Sequence, residues 1–317
     1  MNAEKSRSIH LEELVVLVNN RILDISEAPL RLSVSDGCLL LEPEDAKPVR
    51  VAFSDIAVVL ASHPHGRFSQ AALAGLSESG AVFVICDGKH LPIGMMLPMQ
   101  GNFVQCERFI RQAESPLPIR KRAWSKIVQA KIRAQSRLLS QLGRPDPGLS
   151  QLWTKVRSGD PKNIEAQAAR RYWGALLPGS SFRRNPEIDD LNRHFNYGYA
   201  VLRAIVARAV CAAGLHPGLG LHHHNRYDAF PLADDLMEPY RPIVDAIVIE
   251  IAERWAPDAP LDRERKAFLL SRLSSGFEAN NEMRSLFDWS FRMASSLVKV
   301  HAEEEKEIEI PEIVGRR

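Results

Sequence analysis

The stretch Arg120-Lys-Arg-Ala-Trp124-Ser-Lys-Ile127-Val-Gln-Ala130-Lys131-Ile-Arg-Ala134-Gln-Ser-Arg-Leu138-Leu-Ser-Gln-Leu142 decides the fold class. Ala123, Ile127, Ala130, Ala134, Leu138 and Leu142 recur near helical spacing, so the segment reads as one long amphipathic helix. Gly143 and Pro145 stop it. Upstream of Pro98 this period is absent. There, residues 22–25, 30–34, 38–41, 49–53, 56–60 and 82–86 are apolar runs of strand length between turn signals. Ser35-Asp36-Gly37 is a hairpin-type turn, and Asp87-Gly88 closes the last run. One helix-like segment, residues 69–79, interrupts them and ends at Gly80. Downstream, helical runs cover 103–113, 163–177, 191–213, 239–255, 261–273 and 280–300, with a short apolar piece at 152–156. The reading is an α+β chain: an all-β, sandwich-like N-terminal domain over 1–100, then an all-α domain over 101–317, with the boundary near 98–102.

Composition narrows the class. With 317 residues the chain has ample material for a core, in one large domain or two ordinary ones. Net charge is +2, so a polyanion site must come from local clustering of Lys and Arg. Such clustering exists. Arg108, Arg111, Arg120, Lys121, Arg122, Lys126, Lys131, Arg133 and Arg137 have only Glu107 and Glu114 as acidic neighbours, a pattern able to track a phosphate backbone or simply to form a solvated helix face. Arg183, Arg184 and Arg193 form a second cluster. The four cysteines, Cys38, Cys86, Cys106 and Cys211, lack C-x-x-C spacing and read as free, buried thiols in a reducing compartment. No run approaches a membrane span, and the short 14–18 apolar run follows Glu12 and Glu13, unlike a secretory signal. A cytoplasmic protein is the expectation, with a loose acidic tail after residue 303.

The chemistry concentrates in Gly218-Leu-Gly220-Leu-His222-His223-His224-Asn-Arg-Tyr-Asp228-Ala-Phe-Pro-Leu-Ala-Asp234-Asp235-Leu-Met-Glu238-Pro239-Tyr-Arg241-Pro242. Histidine and carboxylate are ligand types for Mg²⁺, Mn²⁺ or Zn²⁺. On one helix, 234/238 and 235/238 share a face. Asp235-x-x-Glu238 reads equally as a capping box, with Pro239 and Pro242 agreeing with a helix start. The residues alone do not choose among His222, His223 and His224, and loop histidines often serve as structural hydrogen-bonders. Glu165 lies among Ala166, Ala168 and Ala169 near the start of another helix. There it can serve a site or complement the helix dipole. A one-histidine, several-carboxylate site beside basic segments suits Mg²⁺- or Mn²⁺-assisted phosphodiester chemistry.

At these residues the chain resembles the CRISPR-associated adaptation endonuclease/integrase family, the first-numbered Cas proteins, in the form found with type II systems. The match runs through Gly220-Leu-His-His-His-Asn-Arg-Tyr, Phe230, Asp235-Leu-Met-Glu238-Pro-Tyr-Arg241-Pro242, Glu165-Ala-x-Ala-Ala-Arg-x-Tyr172-Trp173, Asn192, and Asn196-Tyr197-Gly198-Tyr199. Cys86-Asp-Gly-Lys89-His90-Leu-Pro92-Ile-Gly94 resembles that form's inter-domain junction. The resemblance covers roughly residues 21–300.

It implies metal ligands, and catalytic residues, at Glu165, His223 and Glu238, binding Mg²⁺ or Mn²⁺. The resemblance places the histidine ligand at His223, whose distance from Glu238 is the one the type II form of the family implies, and Asp235 falls to a supporting or capping place. It further implies dimerisation through the N-terminal domain and catalysis in the C-terminal one. Expected partners are DNA (prespacer and CRISPR repeat), a second copy in a homodimer, the small second-numbered Cas protein of the integrase complex, and the type II RNA-guided nuclease. The expected reaction is spacer insertion into a CRISPR array, by 3′-hydroxyl attack on repeat phosphodiesters, with water attacking in nuclease mode. The alternatives are a non-catalytic DNA-binding scaffold of a defence complex and, more remotely, a generic zinc hydrolase.

Overall fold

The computed structural model describes residues 20–87, 92–98, 102–179, 182–185, 187–188, 190–223, 228–256 and 258–316. Gly88 of the expected turn, residues 88–91 of the junction motif, residues 1–19 and His224 lie outside them. The chain divides into two compact units, Met1–Pro98 and Met99–Arg317.

In the first unit, β1 (Arg21–Ile25), β5 (Ile56–Ala61), β7 (Val82–Cys86) and β8 (Pro92–Met96) form one sheet in the order β1-β5-β7-β8. The first three are parallel and β8 is antiparallel. Every residue of β5 is buried, as expected of a parallel strand covered on both faces. The second sheet has the order β4-β3-β2-β6, from β2 (Leu30–Ser35), β3 (Cys38–Pro43), β4 (Val49–Ala52) and β6 (Arg67–Phe68). Asp36 and Gly37 both take positive φ between β2 and β3, the two-residue turn matched to strand twist. Helix α1 (Gln70–Glu78) is capped by Ser69, whose hydroxyl accepts from the Ala72 amide. Leu23, Leu32, Leu39, Val51, Val59, Leu76 and Phe83 meet in one core, so both sheets and α1 bury their apolar faces together.

The second unit is mainly helical: α2 (Gln105–Glu114), α3 (Leu117–Gln141), α4 (Leu149–Leu152), α5 (Ile164–Leu176), α6 (Asn192–Ala212), α7 (Pro231–Met237), α8 (Arg241–Trp255), α9 (Arg263–Leu273) and α10 (Leu286–His301). The unit is not purely α: β9 (Gly276–Ala279), β10 (Glu282–Ser285) and β11 (Gly315–Arg316) make a small antiparallel sheet. Helix α3 starts three residues earlier than the spacing suggests. Pro118 fits its first turn, where no amide partner is needed. It ends with Gly143 in the left-handed conformation and the Arg144 amide donating back to the Leu139 carbonyl.

Helix α6 is buried on nearly all sides, against α7, α8 and α10. Gly198 sits where α6 meets α8: a Cβ there would lie 2.5 Å from Val244 Cγ1, and Val244 is fully buried. Gly198→Ala gains about 1 kcal/mol of helix propensity, but overpacking costs about 1–3 kcal/mol. The expected outcome is a net loss of stability, on the order of 1–2 kcal/mol, read by thermal unfolding.

The C-terminal segment is docked rather than loose. Lys126 pairs with Glu307 at 3.0 Å, and Arg133 and Arg137 pair with Glu312 at 2.6 and 3.1 Å. Arg137 Nη1 also donates to the Ile313 carbonyl and Gln141 Nε2 to that of Val314, while Ile308 is buried. Those α3 cations are therefore spent on the chain's own acids instead of forming an open basic face. Arg108 likewise donates to the Ala213 carbonyl and Arg111 pairs with Glu107. Of the free cysteines only Cys211 is buried, and burial pushes its thiol up to about 12; Cys106 is exposed.

Candidate metal centre

Three elements converge in the second unit. Helix α5 brings Glu165 in its first turn. Its N-terminus is secured by Asn163, which accepts from the Ala166 amide, and by Asp160, whose carboxylate accepts from the amides of Ile164 and Glu165. The Glu165 carboxylate is thus not consumed by capping. Helix α7 begins with Pro231 at its first position and runs into a 3₁₀ turn, Glu238–Tyr240. Pro239 and Pro242 lack the amides that a continuous α-helix would use there. This break carries Glu238. The capping-box reading of Asp235-x-x-Glu238 fails, because the helix starts four residues before Asp235.

Asp235 instead organises the histidine turn from inside. It is fully buried. Its Oδ2 accepts from the amides of Leu221 (2.6 Å) and His222 (3.1 Å), and its Oδ1 from the amide of His223 (3.3 Å). Oδ1 also lies 2.6 Å from His223 Nδ1. Since Asp235 can only accept, Nδ1 carries the proton, and Nε2 keeps the lone pair a metal needs. The hydrogen bond to Asp235 raises the His223 pKa above the usual range, against desolvation, and the charges of Glu238 and Glu165 add to the rise. Proton and metal would therefore compete for the ring.

His222 is used differently. Its ring lies flat on Trp124 at 4.4 Å and 3°, a stacking contact on a buried tryptophan. His223 meets the same ring edge-on at 5.4 Å.

Glu238 is almost fully buried and lies between two cations. Arg241 Nε donates to its Oε1 at 2.7 Å, and Lys131 Nζ lies 2.5 Å from its Oε2. Burial acts to raise its pKa, but Arg241 and Lys131 outweigh it and hold the carboxyl down to about 2. Oε2 receives no well-directed hydrogen bond, only the ammonium's charge. The same ammonium donates to Glu165 Oε1 at 2.7 Å, so Lys131 bridges the two carboxylates. Among the described residues no three carboxylate, imidazole or thiolate groups close directly around one point. In this cluster a lysine ammonium stands between the acids.

Behind Arg241, Tyr172 and Tyr199 both donate to the buried carboxylate of Asp245. Burial raises Asp245 to about 6, against both hydrogen bonds. The Tyr199 ring carries Arg241 at 4.7 Å and Arg184 at 5.2 Å. Arg184 is gripped by Asn192 and Asn196, each at 2.8 Å. The Asn196-Tyr197-Gly198-Tyr199 segment thus supplies a helix contact and a ring that seats two guanidinium groups. Asp234 is turned away onto Arg203, with oxygens at 2.6 and 2.5 Å.

Sequence reasoning missed Lys131, which it grouped with the basic run. It also gave Trp124 no part in the site. Lys131 follows Trp124 by seven residues and precedes Leu138 by seven, on the apolar stripe of α3. A charge on that stripe was the available signal.

The Cas1 family model, described as CRISPR associated protein Cas1, matches residues 23–272. A CRISPR-associated endonuclease Cas1 of Neisseria meningitidis serogroup C is 34% identical over 90% of this chain and 93% of its own length. One from Pyrobaculum aerophilum is 30% identical over 73% and 82%. Among solved structures, a casposase bound to integration product superposes with a TM-score of 0.75, at 19% identity, over 91% of this chain and 92% of its own. A Cas6-RT-Cas1–Cas2 complex gives 0.74 at 17% identity, over 92% of this chain and 36% of that one. The matched family region contains Lys131, Glu165, His223 and Glu238, and the α+β architecture is shared: the chain belongs to the Cas1 family of CRISPR-associated proteins.

Proposed function

We propose that this Cas1 chain is a DNA endonuclease and integrase of spacer acquisition whose chemistry needs a divalent ion held by Glu165, His223 and Glu238. The observation that carries the reading is the pair of carboxylates, Glu165 and Glu238, facing one bound ammonium, with the Asp235-oriented His223 imidazole close enough to feel the charge of both. The donor set fits Mg²⁺ or Mn²⁺ in chemical type. Glu238 Oε2, buried and without a directed donor, fits a ligand atom. The ammonium at 2.5 and 2.7 Å from the two acids marks where a cation is favoured.

When bound, the ion supplies charge stabilisation to the phosphorane that develops as a phosphodiester is attacked. The chain's own residues do the positioning. Asp235 holds His223 in one tautomer, Arg241 holds the Glu238 carboxylate from behind, and Asp160 secures the turn that presents Glu165. Arg241 and Arg184, both seated on the Tyr199 ring, are cations that can donate to phosphate oxygens. In integration the nucleophile is a DNA 3′-hydroxyl, and in nuclease mode it is water.

The remaining assignments belong to the same proposal. The chain is of the type II form, dimerises through Met1–Pro98, and works with a Cas2 protein on prespacer and CRISPR-repeat DNA, with the type II RNA-guided nuclease as a further partner. Among the described residues no helix is long and apolar enough to cross a membrane, and a cytoplasmic site of action is part of the proposal.

The test is joining of a DNA 3′-hydroxyl end to a repeat-containing plasmid with Mn²⁺ and the Cas2 partner. Glu165→Gln and His223→Ala are each expected to lower product on the order of 100-fold or more, with folding intact by circular dichroism. Full joining by His223→Ala sinks the ligand assignment. No product from the wild-type chain under any divalent ion, with salt-sensitive DNA binding intact, supports the scaffold reading instead.

A further inference from the structure

We infer that Lys131 is the internal counter-ion of this site. Its ammonium holds Glu165 and Glu238 together in the ion-free protein, competes with the divalent ion for both carboxylates, and withdraws from between them when the ion is bound. The inference rests on the metal-site reading above and deepens it.

The geometry makes Lys131 separable from the rest of the cluster. Glu238 is held through Oε1 by Arg241, and the helix turn bearing Glu165 is held by Asp160 and Asn163. The backbone that presents each acid therefore does not depend on Lys131, while the Glu165 carboxylate itself is held by the ammonium. Only the two facing oxygens, Glu165 Oε1 and Glu238 Oε2, are turned to the ammonium. Without a cation between them those oxygens would face each other as like charges in a poorly solvated space.

Charge balance gives the direction of the effect. Glu165, Glu238 and Asp235 set three negative charges against Lys131 and Arg241, so the cluster is one charge negative with His223 neutral. A divalent ion added beside Lys131 would make it positive and bring two cations into contact. A divalent ion replacing the ammonium satisfies the same oxygens at shorter range. The lysine can leave, because its four-carbon stem is flexible and its charge is compact. The backbone that carries it stays fixed, since Trp124, Ile127, Val128 and Leu138 of α3 are buried. Lys131 thereby keeps the site shaped without an ion and raises the ion concentration needed to fill it.

The experiment is Mn²⁺ titration by calorimetry on the full chain, comparing wild type, Lys131→Met, Lys131→Gln and Glu165→Gln. Both Lys131 variants are expected to bind Mn²⁺ about tenfold tighter or more, since a competing charge a few ångströms away is gone. Both should also melt at a lower temperature in EDTA and gain more on adding Mn²⁺. In the wild type, labelling of the Lys131 amine by an acylating reagent, read by mass spectrometry, is expected to rise on adding Mn²⁺. This readout needs no variant to fold. Unchanged or weaker Mn²⁺ binding in a folded Lys131 variant overturns the inference, as does Lys131 labelling that Mn²⁺ leaves unchanged or lowers. If Glu165→Gln abolishes binding while Lys131 variants match wild type, only the counter-ion role fails. If Glu165→Gln binds as tightly as wild type, the metal site itself is wrong.

Discussion

Under the proposed metal assignment, Asp235→Asn is expected to keep the fold and weaken Mn²⁺ binding. Asparagine matches aspartate in shape but offers one acceptor and one donor where aspartate offers two acceptors. Asp235 Oδ2 receives two backbone amides, from Leu221 and His222. The asparagine oxygen is best spent there, since the reverse orientation would set an NH₂ against both. The NH₂ then faces His223 Nδ1, at the atom that is 2.6 Å away in the native protein. Nδ1 must become the acceptor, and the ring proton moves to Nε2. That tautomer has no lone pair at Nε2, the nitrogen left to a metal when Nδ1 faces residue 235. The stability cost is modest, about 1–2 kcal/mol, the difference between charge-assisted and neutral hydrogen bonds. The functional cost is on the order of 10–100-fold in Mn²⁺ affinity and in DNA joining. Calorimetric titration and thermal unfolding check the two numbers separately. Native Mn²⁺ affinity in a folded Asp235→Asn protein would show that Asp235 does not set the histidine tautomer.

The elements legible in the sequence are those whose physics is local. Helix α3 announced itself by period and by Gly143; the β2–β3 hairpin announced itself by Asp36-Gly37. Both signals depend only on residues a few positions apart. The hairpin β9–β10 carries an equally local signal, although residues 280–285 fall within the expected helix. Asn280 and Asn281 both take positive φ, which asparagine tolerates at a two-residue turn. Four-residue strands running straight into α10 hid it inside an expected helix.

The site was less legible, because its residues act across long sequence separations. The family resemblance singles out His223 and Glu238, and Glu165 with them. Of the two places open to Asp235 in the sequence, supporting or capping, its position inside α7 rules out capping and leaves support of His223. The partners of Asp235 lie twelve to fourteen residues away, and only the fold brings their amides to it. Lys131 is 34 residues from Glu165. A count of basic residues groups it with Lys126 and Arg133, yet those two point to the C-terminal acids and Lys131 points to the site.

Gly220→Ala is expected to damage the site from the backbone side. A Cβ at Gly220 would lie 2.8 Å from the His223 carbonyl oxygen, 3.0 Å from Pro231 Cβ and 3.1 Å from Asp235 Oδ2. The first contact is with backbone, so no side-chain rotation relieves it. The turn that carries His223 must open, and it is pinned to Asp235 by the amides of 221–223. The added methyl therefore pushes on the carboxylate and on the peptide it holds at once. An overpacking cost of about 1–3 kcal/mol follows. A shift of a fraction of an ångström in His223 is enough for a loss on the order of tenfold or more in Mn²⁺ affinity. Gly198→Ala is the matched comparison. It overpacks the α6–α8 contact by a similar amount, but presses on Val244 rather than on Asp235 or His223. Thermal unfolding should place the two variants close together, while Mn²⁺ titration should separate them, Gly220→Ala weakened and Gly198→Ala near wild type. Equal metal affinity in both would mean that the glycine turn packs the helix without aiming the histidine.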